Sequence, residues 1–413
     1  MFSSEQWLAN SGADFYNGVA TQSLRFDDGS SAYLNKTFST PTNNKIYTFS
    51  SWVKRSELSR RQAIFGAGSD GNNENYIGFN ADNTFYFQTY SHPSQYRYVS
   101  SAIYRDISAW YHCVVEVDTT LSSADDRVKL YINGERISIG TQQDIPLNYN
   151  SRFNSAVNHG VGYSGNGSYA YYVDGYMAET NFVDGLSLDA SYFGETKNGV
   201  WIAKTPNVSD YGTNGFRLQF DQVGVGTAST STIGADTSGK TNHFTSSGIV
   251  ASDCAMIDSP ENNFATIDPL SSGAGVFSEG NLKYVSTADT GNATFGISSG
   301  KAYVEVYVSS VSNSFIGVLD ISNGLSPTRG GSFTTHGAIA YKQNGDQYSL
   351  PVGSSSATAS YGASYTNGDI IGIAFDVDAD TITFYKNGAS QGNTANGVSH
   401  ISSNGVYSIL LYA

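Results

Sequence analysis

The stretch Val128-Lys129-Leu130-Tyr131-Ile132-Asn133-Gly134-Glu135-Arg136-Ile137-Ser138-Ile139 reads as a β-hairpin. Its apolar residues alternate with polar ones, which is the two-residue period of a half-buried strand. Asn133-Gly134 sits at the tip, and Asn-Gly tolerates the positive φ angles that a tight hairpin turn demands. Immediately upstream, Trp110–Asp118 (WYHCVVEVD) is the most apolar strand of the chain. Working outward, Tyr47–Lys54, Tyr76–Asn80, Thr84–Thr89, Gly160–Tyr163 and Tyr169–Asn181 carry further strand patterns. Short strands separated by turn signals predict a sandwich or barrel. The same grammar returns in Lys301–Ser309, Phe315–Leu319, Gly337–Lys342, Asp369–Asp376, Thr381–Asn387 and Val406–Tyr412.

Composition agrees. The 413 residues include 44 Gly, 29 Tyr and 22 Phe but only 3 Met, and eleven Asn-Gly pairs punctuate them. These residues suit pleated strands and turns rather than helical bundles. The expected class is all-β, with two antiparallel β units of sandwich or barrel type. Residues 1–21 form an N-terminal arm, either packed on its own domain or used for attachment. Residues 22–192 form the first β unit. Residues 193–275 form an irregular Gly/Ser/Thr-rich connector with added strands near 199–204 and 215–221, and with 223–240 as a long loop or linker. Residues 276–413 form the second β unit.

Several function classes recede at this point. A net charge of −14 argues against nucleic acid as the main partner, because phosphate binding needs clustered Lys and Arg. No stretch approaches the ~20 apolar residues of a membrane helix, so no membrane insertion is expected. Met1-Phe2-Ser3-Ser4-Glu5 lacks the basic and apolar regions of a cleaved signal. Cys113 and Cys254 are too few for a disulfide framework, and Cys113 reads as a small core residue. The six His residues show no zinc spacing. Gly66, Gly68 and Gly71 lack the context of a phosphate loop and read as tight β connections.

Particular motifs now carry a resemblance. Thr48-Phe49-Ser50-Ser51-Trp52-Val53, Trp110-Tyr111-His112, Leu130–Gly134 and Tyr172–Glu179 resemble a LamG-like, concanavalin A-like jelly roll. Tyr303-Val304-Glu305-Val306, Gly317-Val318, Gly368–Asp376 and Ile382–Gly388 resemble a SPRY domain, another concanavalin-like sandwich. Their order, with a Tyr211–Phe216 strand and an Asp258-Ser-Pro-Glu-Asn-Asn-Phe264 turn between them, resembles virion structural and tail-fibre proteins of tailed bacteriophages. The resemblance implies a homo-oligomeric appendage that contacts other virion proteins, reads a host-surface glycan, and leaves the cell by lysis. One departure is that the chain stops at Ala413 directly after a strand. Either a last strand comes from another subunit or the chain is shortened.

Chemistry is sparse in the sequence. Glycoside hydrolysis needs two carboxylates about 5–9 Å apart. Glu116 and Asp118 share a strand face, but Thr119, Thr120 and Leu121 stand where the related hydrolases carry a third carboxylate. No catalytic residue is therefore assigned, and a non-enzymatic protein is expected. LamG-like domains often hold calcium through loop oxygens, and Asp70, Asn72, Asn73 and Glu74 supply such groups in one loop. The same residues also suit hairpin turns held by Asx hydrogen bonds. No cofactor is required by this reading. Sugar binding needs aromatic faces beside amides and carboxylates. The candidates are Tyr90, Tyr96 and Tyr98 in one cluster and Tyr163, Asn166 and Tyr169 in a second.

Overall fold

Alternation along the chain becomes stacked sheets in space. The computed structural model describes residues 15–70, 72–165, 170–271, 275–286, 289–311, 314–322, 337–351 and 357–412, with Ser69 and Asp70 as backbone only. Two compact units are present, Met1–Phe264 and Ala265–Ala413. Among the described residues the only helical elements are single 3-10 turns.

In the first unit one sheet runs Leu24–Phe26, Gly175–Asp184, Ile46–Arg55, Trp110–Asp118, Val128–Ile132, Glu135–Arg136, with Phe216–Leu218 also paired to Gly175–Asp184. The facing sheet runs Ile139–Gln143, Ser94–Ile103, Thr84–Ser91, Asn73–Phe79, Gln62–Asp70, Asn158–Val161, Tyr33–Thr37, Thr245–Ser247. Odd-numbered residues of Ile46–Arg55 and Trp110–Asp118 (Tyr47, Phe49, Val53, Tyr111, Cys113, Val115, Val117) point into the core with Phe65, Ile77, Phe79, Phe85 and Phe87 from the other sheet. Phe49 and Phe65 stack across the two layers with centroids 5.0 Å apart. Cys113 is fully buried and unpaired, as its alternation indicated. At the tip of the Val128–Ile132/Glu135–Arg136 hairpin, Asn133 and Gly134 have φ of 50° and 85°. Asn198-Gly199 and Asn387-Gly388 repeat that turn, again with both residues at positive φ.

The sequence reading missed Gln62–Asp70 and misplaced its glycines. Gly66 and Gly68 lie within that strand rather than in turns. A Cβ on Gly66 would stand 2.3 Å from Cβ of Ser164, so only glycine lets the Tyr163–Ser164 hairpin lie flat on the sheet.

The expected connector needs a larger correction. Residues 193–264 belong to the first unit, and Phe216, Leu218, Phe220, Ile233, Phe244 and Ile249 are part of its core. The Gly194–Lys197/Val200–Ala203 hairpin and the 250–264 segment cover the outer face of the first sheet. Three side-chain contacts order this outer face, two of them to the covering layer and one within the sheet. Trp201 Nε1 donates to His112 Nδ1 at 3.0 Å, while His112 Nε2 meets Ser50 Oγ at 2.9 Å. The imidazole is therefore the neutral Nε2–H tautomer, and burial pushes its pKa down to about 3. Arg217 forms a two-pronged pair with Glu179 at 3.0 Å, where Glu179 sits at φ 44° in a bulge between Ala178 and Asn181. The third contact is Lys54, which is 1% exposed and donates to Asp258 Oδ2 (2.8 Å), Asn263 Oδ1 (2.8 Å) and the Phe264 carbonyl (2.6 Å).

The Asp258–Phe264 turn also holds the start of the described chain. The Glu261 carboxylate accepts the N–H groups of Gly18, Val19 and Ala20 at 3.0, 2.8 and 3.0 Å. Composition could not reveal this layer, because Gly, Ser and Thr suit a packed loop as well as a free linker.

The second unit stacks a six-stranded sheet (Thr290–Asn292, Tyr407–Tyr412, Phe315–Asp320, Ala338–Lys342, Asp346–Leu350, Ala357–Ser360) on a four-stranded one (Lys301–Tyr307, Ile370–Asp376, Thr381–Lys386, Ala389–Asn393). Ile316, Val318, Ile339, Tyr341, Ile371, Ile373, Ile382 and Phe384 fill the space between. The Tyr407–Tyr412 strand lies inside the larger sheet, flanked on both sides.

Removing one partner of a buried ion pair strands the other charge, which costs about 3–5 kcal/mol. Asp258→Ala is expected to lower the unfolding free energy of the first unit, read from a urea titration, by that amount. The double variant Lys54→Met/Asp258→Ala is expected to recover a large part of the loss, measured by the same urea titration.

Candidate functional site

Because the chain's own 193–264 segment covers one sheet, the eight-stranded sheet supplies the open outer face of the first unit. Strand parity decides which tyrosines reach that face. Tyr98 points inward, is 1% exposed and accepts a hydrogen bond from Ile145 N at 3.1 Å. Tyr96 shares its parity and packs edge-on against Tyr149 with centroids 5.2 Å apart. Tyr98 is thus a core residue and the half-buried Tyr96 faces the same side, because position i and position i+2 of a strand share a face. Tyr90 lies on the outer face, half-buried near His92. Asn166 and Tyr169 lie outside the described residues.

Tyr163 does reach the open face, and three rings gather there. Tyr163 stacks on Tyr172 across their short hairpin (4.9 Å, 29°) and lies 4.8 Å from Tyr33 on the neighbouring strand. Beside them is a shallow depression of about 250 Å³. Its floor is Gly66, Gly68 and Gly160, and its rim carries the Asn35 and Asn158 amides with the Tyr33 and Tyr163 rings. Asn35 Nδ2 donates to the Thr245 carbonyl at 3.3 Å, which leaves its Oδ1 for a ligand donor. Tyr33 and Asn35 were not anticipated. The alternation Tyr33-Leu34-Asn35, with Leu34 fully buried, was the available signal.

Next to the depression is a second aromatic and polar row. Arg61 lies over the Tyr171 ring at 5.3 Å, and Tyr76 stacks on Tyr86 at 5.0 Å. Gln88 Nε2 donates to the Glu74 carboxylate at 3.1 Å, and Gln95 Nε2 donates to Gln88 Oε1 at 2.6 Å. Tyr76, Tyr86 and Gln88 are buried beneath this row, so what it presents is the Arg61 guanidinium, the Tyr171 ring, the Glu74 carboxylate and the Gln95 amide.

The expected calcium loop is engaged otherwise. Ser91 Oγ donates to Asn73 Oδ1 at 3.2 Å, and the Asn72 carbonyl accepts His92 N at 2.8 Å. Glu74 serves Gln88 as above, and the Asp70 side chain lies outside the described part. The structure instead gathers Asp27, Asp28 and Asp174, whose nearest oxygens all lie within 4.8 Å of one another. Asp27 and Asp28 follow the Leu24–Phe26 strand. Asp174 precedes Gly175, which pairs with Phe26. Arg60 is the cation beside them, bound to Asp28 and to Glu57. One buried oxygen of Asp174 has no hydrogen-bond partner. Burial, then the charges of Asp28, Glu57 and Asp27, push the Asp174 carboxyl up to about 8. Three convergent carboxylates and an unsatisfied oxygen are a set of hard donors that could hold a divalent cation. No spacing rule finds it, because the two strands meet only in the folded sheet.

Glu116, the nearest candidate for acid–base work, accepts Lys129 Nζ (3.0 Å) and Ser187 Oγ (2.9 Å) on one oxygen and Tyr131 O–H (2.7 Å) on the other. Asp118 accepts both the N–H and O–H of Thr120, at 2.9 and 2.6 Å. Both lie on the sheet covered by the chain's own segment, not on the open one.

Comparison with known proteins agrees with this architecture. Residues 27–191 match the family model described as the concanavalin A-like lectin/glucanases superfamily, and residues 301–409 match the SPRY domain model. Among solved structures, the SPRY domain of human HERC1 is 21% identical, with 30% of this chain and 74% of that one covered at a TM-score of 0.24. The heptameric SAP-like pentraxin of Limulus polyphemus is 13% identical (38% and 71% covered, TM-score 0.28). Domains LG4-5 of the mouse laminin alpha1 chain are 10% identical (96% and 83% covered, TM-score 0.32). No curated protein matches the chain. The chain therefore carries a LamG-like domain of the concanavalin A-like superfamily followed by a SPRY domain.

Proposed function

We propose that this chain is a non-enzymatic structural protein of a bacteriophage virion, a fibre or appendage component whose first unit reads host-surface polysaccharide. The observation that carries the glycan reading is the glycine-floored depression walled by Tyr33 and Tyr163 and rimmed by Asn35 and Asn158. A pyranose presents an apolar C–H face and a hydroxyl edge. Tyrosine rings suit the face and amides suit the edge, and a few polar groups on an apolar wall are what fix a small ligand. The virion reading is supported by the order of the two domains and by the Asp258–Phe264 turn between them. A binding role fits Glu116 and Asp118 better than hydrolysis does, since both carboxylates are held by neighbours on the covered sheet. The net charge of −14 would keep a displayed appendage from adhering to anionic surfaces before a specific contact forms. Calcium at Asp27, Asp28 and Asp174 would fix the junction of the Leu24–Phe26 and Gly175–Asp184 strands.

Binding to an array of bacterial surface polysaccharides tests the reading. Tyr163→Ala and Tyr33→Ala are each expected to weaken the bound glycan at least tenfold, about 1.4 kcal/mol. Tyr90→Ala, away from the depression, is expected to leave it unchanged. Absence of binding to any polysaccharide, or equal binding by the Tyr163→Ala variant, would refute the assignment.

The cation site has its own signature. A carboxyl raised on folding contributes stability that is full below its unfolded pKa and is lost as pH rises through the folded value. In chelator, thermal stability is therefore expected to fall between about pH 4 and pH 8. Calcium is expected to remove that slope, with stabilisation of about 2.7 kcal/mol at a hundredfold excess over Kd. Asp174→Asn is expected to abolish both effects in a scanning calorimeter.

A further inference from the structure

Strand edges are ready-made pairing surfaces, and folded proteins blunt them with short strands, bulges or charge. The sheets of this chain follow that rule at nearly every edge described. The seven-stranded sheet ends in the two-residue Glu135–Arg136 and the three-residue Leu24–Phe26. The eight-stranded sheet ends in the three-residue Thr245–Ser247 and in Ile139–Gln143, whose register shifts between Ile139 and Thr141. In the second unit, Thr290–Asn292 and Ala357–Ser360 have three and four residues, and the pairing of Ala389–Asn393 shifts register between Thr383 and Tyr385. Lys301–Tyr307 is different. It has seven residues in unbroken register with Ile370–Asp376 and, among the described residues, pairs with no strand on its other side.

Val308 N donates to the Asp369 carbonyl and Val377 N to the Gly300 carbonyl, both at 2.9 Å. Antiparallel bonding alternates along a strand, so Ala302, Val304 and Val306 bond inward to Ile370–Asp376. The backbone groups of Lys301, Tyr303, Glu305 and Tyr307 point off the edge. The side chains of these four also share one exposed face, with Tyr303 39% and Tyr307 66% accessible. On the opposite face Ala302, Val304 and Val306 are only partly covered by the core.

We propose that this edge is a self-association surface, at which Lys301–Tyr307 pairs antiparallel with Lys301–Tyr307 of a second copy about a two-fold axis through Tyr303. Charge selects both partner and register. Lys301 and Glu305 lie on the same strand face, on opposite sides of Tyr303. A two-fold at Tyr303 sets each Lys301 opposite Glu305 of the second copy, and sets the two Tyr303 side chains against each other. All three pairs use only outward-pointing backbone groups, which gives about six new backbone hydrogen bonds. Moving the axis to Glu305 would oppose two carboxylates, so that register is disfavoured. The association does not depend on the glycan reading above.

Full-length protein in sedimentation velocity over a micromolar concentration series tests it. The expected result is a monomer–dimer equilibrium. Directly opposed residues of a hydrogen-bonded pair have Cα atoms about 5.5 Å apart, inside the disulfide range of about 4.4–6.8 Å. Tyr303→Cys is thus expected to form a covalent dimer on mild oxidation, with Tyr307→Cys forming at least tenfold less. The native Cys113 and Cys254 are buried and do not compete. Glu305→Pro removes only an outward N–H, and Glu305→Lys opposes two ammonium groups. Both are expected to raise the dimer Kd at least tenfold while the melting temperature stays within about 2 °C of the parent. A chain that stays monomeric throughout, a dimer that survives both Glu305 variants, or equal cross-linking at positions 303 and 307 would overturn the proposal.

Discussion

A lysine ammonium on the outer face of a β-sheet must either stay in water or find acceptors of its own. Lys54 is buried and finds three, all within Asp258–Phe264. Burial lowers the lysine pKa and raises that of Asp258, and the charges of each pull the other back toward ionisation. The same turn receives the Trp110 indole N–H on Asp258 at 3.2 Å and caps three backbone N–H groups with Glu261. Without this pair, the outer face of the seven-stranded sheet would present Trp52, Trp110 and a lone buried charge. With it, that face is closed, and the eight-stranded sheet becomes the surface on which recognition can be built.

Much of the fold was legible because two signals are local. Trp110–Asp118 appears with the bounds its alternation gives, and Asn133-Gly134 turns where the hairpin rule places it. Strands without that signature were harder to see. Gln62–Asp70 is interrupted by Gly66 and Gly68, and Ser94–Ile103 carries Ser on both faces, which blurs its alternation. Their pairing is dictated by neighbours distant in sequence, which no window of residues contains.

The candidate sites were legible only in part, for a related reason. Tyrosines are visible in a sequence, but the face they occupy depends on strand phase. Tyr96 and Tyr98 fall on the core side, and Tyr163 is carried to the surface by its own short hairpin. The Asp27, Asp28 and Asp174 group depends on a pairing between the first strand and one far along the chain. The glycine floor was visible as residues but not as a floor, since its meaning is the close approach of another backbone.

The pairing of early with late residues has a temporal side. Arg25 is neutralised by Asp253 at 2.6 Å, and Ser23 bridges to Met256. Lys54 waits for Asp258. Contacts of such sequence separation carry a large loop-closure cost and slow the search for the native state. While the chain is being synthesised, the opening strands of the first unit must therefore persist with their cations hydrated and one sheet face bare. The domain locks only once residues 253–264 arrive. A piece cut at the end of the jelly roll proper would keep its hairpins and lose its clasp.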